Sequence, residues 1–275
     1  MQIIILIIAS NDREHENDLL CQQKTWISNR HNDVKVIYLR GWNENHYFED
    51  KDVLYVPCRE EYSLILAKTI LALKYIYENH KFDVLIRSNV STYFETHRLV
   101  KELSKRKYQD SFFGGYFDKS VKKNTEIDCF PEYVSGAGMF FTKDIVSDLI
   151  RLNPQEYAGI GDDLAISSYL FTLRRNLVRI NRNNLHATHV FIPTFYIRAK
   201  NSFDSNSASR RMVLMHNYFM STSILDRIES YSRIVINEFK EFRDYPEGLL
   251  IFLTKLRVVF LSYIKSVFEK VITSK

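Results

Sequence analysis

Apolar and polar positions follow two distinct rhythms along this chain. Residues 3–9 are an unbroken apolar run, mostly β-branched. Such a run is the pattern of a central parallel strand buried on both faces. Ser10-Asn11-Asp12 reads as a turn and helix cap, with a helix over 19–27 after it. Shorter apolar runs at 34–39 and 53–56 predict two more strands. Between 63 and 77 the rhythm turns helical: Leu64, Ala67, Leu71 and Tyr75 line one face, with Ile65, Thr69, Ala72 and Ile76 beside it. Residues 84–86 predict a fourth strand, 96–104 a helix, and 112–117 a strand around Gly114-Gly115. This alternation argues for a mostly parallel, Rossmann-like α/β sheet flanked by helices on both faces.

The second half is less regular. Residues 133–142 read as a Gly-interrupted strand and 143–152 as a helix. Gly159-Ile160-Gly161-Asp162-Asp163 is a turn whose acids open a helix over 164–174, and 178–180 and 190–196 are candidate strands. From residue 224 onward the chain reads as helical. Within 249–271, Phe252, Leu256, Val259, Phe260, Ile264, Val267 and Val271 fall on one stripe, interrupted by Lys255, Arg257, Lys265 and Lys270. An apolar face beside basic charge suits an interfacial membrane helix. A helix packed on the domain or on a second copy shows the same pattern. The expected organisation is an α/β domain over residues 1–220 and a helical extension over 221–275.

Composition narrows the class. The chain has 275 residues, 45% apolar and 14% aromatic, enough for a large core and unlike a disordered chain. The net charge of +5 does not by itself imply nucleic acid. The excess is concentrated: Arg174, Arg175, Arg179, Arg182, Arg198, Lys200, Arg210 and Arg211 face one acid, Asp204, in that stretch. Such a segment suits an anionic partner, or is a solvated basic face. Cys21, Cys58 and Cys129 lie far apart with no zinc or disulfide spacing, which suits a reducing compartment. The opening MQIIILIIAS lacks the positive flank of a signal peptide and reads as a strand. No segment is long and uncharged enough to span a bilayer. A cytoplasmic protein is the expectation.

Chemistry-bearing residues cluster at element ends. Asp162-Asp163 places two acids in a Gly-flanked turn at a helix N-terminus. One could serve as a general base while the other caps the helix; both could be caps. Ser135-Gly136-Ala137-Gly138 would let backbone approach a ligand closely, or would form a strand bulge. His216 follows an apolar run and is either structural or part of a site. Arg87-Ser88-Asn89-Val90-Ser91 is a polar patch where a core strand ends, the usual place for ligands in α/β sheets.

The order of these pieces resembles inverting glycosyltransferases of the GT-A fold, of the β-1,3-galactosyltransferase and fringe type. Lys24-Thr25-Trp26 resembles that family's N-terminal TW segment. Glu61-Tyr62-Ser63-Leu64 with Ala67-Lys68-Thr69 resembles its acidic-Tyr helix, and Tyr133-Val134-Ser135-Gly136-Ala137-Gly138 its Gly-rich strand. Gly161-Asp162-Asp163-Leu164 resembles its late acidic motif, and His216 its late histidine. Asn89-Val90-Ser91 falls where the family carries a metal-binding Asp-x-Asp.

The resemblance implies transfer of a sugar from a nucleotide-sugar donor, UDP-linked by expectation, to a glycan or lipid-linked glycan acceptor. Asp162 or Asp163 would take the acceptor proton. Ser10, Asn11, Arg13, Lys68, Arg87, Ser88, Asn89, Ser91 and His216 would lie at the donor, and Ser135, Gly136, Ala137 and Gly138 at the acceptor. The divalent cation, Mn²⁺ or Mg²⁺, would have only Asn89, Ser91 and His216 for ligands. Hard cations prefer carboxylates, so three outcomes stay open: metal-independent transfer, weak metal binding through the substrate phosphates, or a binding role without catalysis. The first is preferred. Bacterial transferases of this type extend surface glycans such as O-antigen or capsule, which suits a C-terminal segment docking at the inner membrane face.

Overall fold

A computed structural model describes residues 1–11, 13–105, 110–119, 132–180, 183–184, 196–198, 212–213, 215–217 and 220. Within them the strands are β1 (Ile3–Ile8), β2 (Val34–Trp42), β3 (Phe48–Asp50), β4 (Val53–Pro57), β5 (Val84–Asn89), β6 (Thr92–Phe94), β7 (Phe113–Lys119), β8 (Glu132–Thr142), β9 (Leu177–Arg179), β10 (Asn183–Asn184) and β11 (Tyr196–Arg198). The helices are α1 (Arg13–Gln22), α2 (Ile65–Asn79), α3 (Thr96–Leu103), α4 (Lys143–Leu149) and α5 (Asp162–Thr172). Eight strands form one sheet in the order β3-β4-β2-β1-β5-β8-β7-β9. β4, β2, β1 and β5 are parallel neighbours, and β9 is parallel to β7. β3 and β8 run the other way. Six of the eight strands run the same way, so the sheet is mostly parallel, as expected, with two antiparallel members.

The unbroken apolar run of β1 has a direct cause. Ile3, Ile5, Ile7 and Ala9 face a core built with Leu19, Trp26, Leu99 and Leu103 from α1, the turn after it and α3. Ile4, Leu6 and Ile8 face the opposite core, with Leu73, Ile76, Ile145 and Ile166 of α2, α4 and α5. Both faces of the strand are covered, so no polar position is tolerated. Ile5 and Leu6 are fully buried. Truncating such a side chain costs about 2–5 kcal/mol.

Four elements differ from the sequence reading. The first helix starts at Arg13 and widens into a π-helical turn over Gln23–Ile27. Its first turns, REHEND, carry no apolar stripe, so periodicity registers only where the helix packs. α2 buries Leu66, Thr69, Ile70, Leu73 and Ile76, while Leu64, Ala67, Leu71 and Tyr75 stay half-buried. That helix is apolar on most sides, and the sheet selects which stripe goes in. The helix expected over 143–152 ends at Leu149, closed by hydrogen bonds from Ile150 and Leu152 N–H. β3 is a short polar edge strand that joins β4 through a hairpin with Lys51 in the left-handed region (φ 55°). Three residues reading Phe-Glu-Asp give too little alternation to predict a strand.

The expected strand over 190–196 is described only from Tyr196, where β11 pairs antiparallel with β6. The helices expected from residue 224, including 249–271, lie outside the described residues. Among the described residues no helix is long and apolar enough to cross a membrane.

Candidate active site

Parallel pairing brings the carboxyl ends of three strands to one edge. Ile8 of β1 lies beside Asn89 of β5 on one side and Leu39 of β2 on the other. β8 pairs with β5 in the opposite direction, Met139 beside Arg87. Its Ser135-Gly136-Ala137 segment therefore reaches the same edge. α5 packs on β8 and presents its first turn, Asp162-Asp163, there. This is the edge where open α/β sheets bind ligands.

Arg87 is the hub of that edge. Its side chain is 4% exposed, and Nη2 donates to Asp162 Oδ2 at 2.6 Å. Nη1 donates to Asn89 Oδ1 at 2.8 Å and also to the Gly136 carbonyl. A buried guanidinium needs such partners, because an unpaired charge in low dielectric is costly. Gly136 leaves the room: a Cβ there would stand 2.2 Å from Arg87 Nη1. Asn89 is itself only half-buried.

The two acids are held differently. Asp163 accepts from Gly136 N–H through Oδ2 at 3.0 Å and from Leu164 N–H through Oδ1 at 2.9 Å. From the first turn of α5, whose N-cap is Gly161, it satisfies one free N–H of that turn and ties the helix to β8. Burial, followed by the neighbouring Asp162 carboxylate, pushes Asp163 above the usual carboxylate range, and Arg87 opposes this only in part. Asp162 uses one oxygen on Arg87 and keeps Oδ1 without a protein partner among the described residues.

The remaining expected site residues divide clearly. Ser88 Oγ and Thr92 Oγ1 both donate to the Ala137 carbonyl at 2.9 Å, and Ser88 and Ser91 are buried. Gln22 of α1 donates to the carbonyls of Val90 and Thr92, at 2.7 and 3.1 Å, and pins the turn between β5 and β6. Ser135, Gly136, Ala137 and Gly138, expected to let backbone approach an acceptor closely, are all buried. Their close approaches are internal, to Arg87 and, at Gly138, to Gly115.

Lys68 also differs from its expected place at the donor. It is 3% exposed, and its ammonium donates to the Ala9 carbonyl at 2.9 Å and to Glu60 Oε2 at 2.7 Å. Glu60 Oε1 in turn accepts from Gly41 N–H. Lys68 thus binds the ends of β1 and β2 together from below. Asn11 is exposed after β1, and Arg13 opens α1. Ser10 Oγ lies 2.6 Å from His15 Nδ1. His15 and Glu60 stand in polar runs that give no sign of these roles, and Gln22 has only its place after Leu19-Leu20-Cys21 to mark it.

His216 lies against Tyr93, with Nδ1 3.3 Å from Oη, and burial lowers its pKa. The groups expected to hold a divalent cation do not fit one. Asn89 directs its carbonyl oxygen at Arg87 and Ser91 is buried, which leaves His216, whose Nδ1 lies against Tyr93, as a single neutral ligand. No cluster of three or more His, Cys, Asp or Glu side chains stands ready for a metal among the described residues. Of the basic segment, Arg175 pairs with Asp148 at 2.6 Å, away from this edge on α4. Backbone pairing sets Arg198 opposite Thr92, beyond the turn that begins at Asn89.

A sequence model of the galactosyltransferase family matches residues 22–177, more than half of the chain. No curated protein sequence matches it. In fold, the protein is similar to a glycosyltransferase involved in the glycosylation of the major capsid of PBCV-1. The TM-score is 0.51 at 10% identity, over 78% of this chain and 100% of that one. It is similar also to an active-site mutant of LgtC, with a TM-score of 0.50 at 10% identity, over 82% of this chain and 99% of that one. At that identity the likeness concerns the fold, and it agrees with the GT-A-like architecture expected from sequence. The chain belongs to the galactosyltransferase family and is a glycosyltransferase.

Proposed function

We propose that the protein is an inverting glycosyltransferase that moves a sugar from a nucleotide-sugar donor to a glycan acceptor, with Asp162 as the general base. The observation that carries this is the different state of the two acids. Both oxygens of Asp163 are held by backbone N–H groups, whereas Asp162 keeps one oxygen available and is paired with Arg87 through the other. The acceptor oxygen attacks the anomeric carbon from the face opposite the diphosphate. The new C–O bond forms as the bond to the diphosphate oxygen breaks, and the acceptor proton passes to Asp162. The sugar is oxocarbenium-like at the transition state, as in glycoside hydrolysis. Asp163 positions α5 against β8 and so fixes Asp162.

A uridine nucleotide is the preferred donor, with a surface polysaccharide or its lipid-linked precursor as the acceptor class. Support for the latter is the basic amphipathic pattern of residues 249–271, which suits a peripheral helix at the inner membrane face.

The test is transfer from a panel of nucleotide sugars to simple glycosides, with product configuration read by NMR. Inversion at the anomeric carbon is expected. The Asp162→Asn variant should lose about 10²–10⁴-fold in kcat while still binding nucleotide. A product of retained configuration, or an Asp162→Asn variant with wild-type kcat, would sink the assignment. The replacement of Asp-x-Asp by Asn89-Val90-Ser91 favours a second reading, a nucleotide- or glycan-binding scaffold without catalysis. Nucleotide binding with no transfer from any donor selects it.

A further inference from the structure

We infer that Asn89 is a hydrogen-bond donor to the diphosphate of the donor substrate, and that this protein holds a nucleoside diphosphate without a divalent cation. The inference rests on the sugar-transfer reading and concerns the same edge.

The orientation of the Asn89 amide decides the matter. Arg87 Nη1 lies 2.8 Å from Asn89 Oδ1. A guanidinium only donates, so the atom facing it must be the amide oxygen. The amide nitrogen is therefore the end that points away, and among the described residues it has no protein partner. Asn89 is half-buried at the carboxyl end of β5, level with Ile8 at the end of β1. What it offers to a ligand is two N–H donors. A metal ion requires lone pairs, and the amide nitrogen has none to give. Phosphate oxygens are acceptors and match it.

Charge points the same way. In the resembling family a divalent cation sits with carboxylates of the Asp-x-Asp motif. Here residues 89–91 are neutral and bring no counter-charge for such an ion. A divalent ion placed at Asn89 would have to compete with Arg87 for the one amide oxygen, which already accepts from Nη1 at 2.8 Å. Arg87 cannot swing away cheaply, since Asp162 and the Gly136 carbonyl also hold it. The arginine, its own charge paired with Asp162, turns the amide so that nitrogen faces the ligand.

Binding of uridine, guanosine and adenosine diphosphates to the full chain, by calorimetry in EDTA and in Mn²⁺, tests this. Thermal unfolding of each variant serves as the folding control. The expected result is one diphosphate bound with the same affinity in both media. Asn89→Asp should then weaken that binding about tenfold or more in EDTA, and Mn²⁺ should restore part of it. Wild-type binding that is lost in EDTA and recovered in Mn²⁺ overturns the inference while leaving the sugar-transfer reading intact. Unchanged affinity in Asn89→Asp removes Asn89 from the subsite. If no nucleoside diphosphate binds in either medium, the sugar-transfer reading fails and this inference with it.

Discussion

Arg87 and Asp162 stand 75 residues apart in sequence and 2.6 Å apart in space. Their side chains are 4% and 10% exposed, so the pair is buried. The contact joins the end of β5 to the first turn of α5. Strand pairing and helix packing create it; neither residue has a local reason to meet the other.

Breaking this pair from one side should be worse than removing it. Arg87→Met leaves the Asp162 carboxylate buried without its cation, which costs about 3–5 kcal/mol. The double variant Arg87→Met/Asp162→Asn should recover a good part of that loss in urea denaturation. Simple additivity of the two single changes would show that the residues are not coupled in solution.

Gly136→Ala places a methyl group 2.2 Å from Arg87 Nη1. The guanidinium must move, and it is held on three sides. We expect a loss of about 1–3 kcal/mol in stability and a fall in kcat larger than any change in donor KM. A fully active, fully stable alanine variant would mean that Arg87 has slack which its hydrogen bonds do not suggest.

Lys68→Met should destabilise the fold by about 2–4 kcal/mol, because it strips the cation from Glu60 and the donor from the Ala9 carbonyl. The matched change Glu60→Gln/Lys68→Met should cost less. Since Lys68 is buried and holds protein groups only, its loss should leave donor KM and kcat of the folded variant little changed. Steady-state kinetics on folded variant protein separates the two parameters.

The cluster around Glu49 sets a pH dependence far from the active edge. Burial pushes the Glu49 carboxyl up, but hydrogen bonds from Lys35 (2.9 Å) and His80 (2.9 Å) outweigh it, and the net shift is downward from about 4.5. A depressed carboxylate contributes stability above its unfolded value, and that contribution is lost as pH falls through the folded value. Glu49→Gln should therefore cost about 1 kcal/mol near pH 7 and progressively less below about pH 4.5. A constant difference between the two proteins across pH 3–7 would contradict this.

Truncation after Tyr245 removes the basic amphipathic stretch over 249–271. Co-sedimentation with vesicles containing anionic lipid should fall at least tenfold for the shortened chain, and most steeply at low salt. Equal binding by both chains would assign membrane association to another part of the protein.

The sequence by itself determined a good deal. An apolar run such as IIILII admits one placement, the middle of a sheet covered on both faces, and β1 takes it. Two acids after a glycine, favoured in a helix's first turn, announced the start of α5 at Asp162-Asp163, and the polar patch after residue 86 marked the sheet edge where Arg87 and Asn89 lie. These signals are local: period, turn chemistry and the cost of burying a polar group can be read residue by residue. What only the tertiary structure decided is who meets whom. Which acid is tied to backbone and which to Arg87, why Lys68 is held by Glu60 and the Ala9 carbonyl, and which end of the Asn89 amide faces away from Arg87 all depend on contacts across strands and helices. Hydrogen bonds have direction and reach only about 3 Å, so their partners are chosen by packing and register, which no single stretch of sequence encodes.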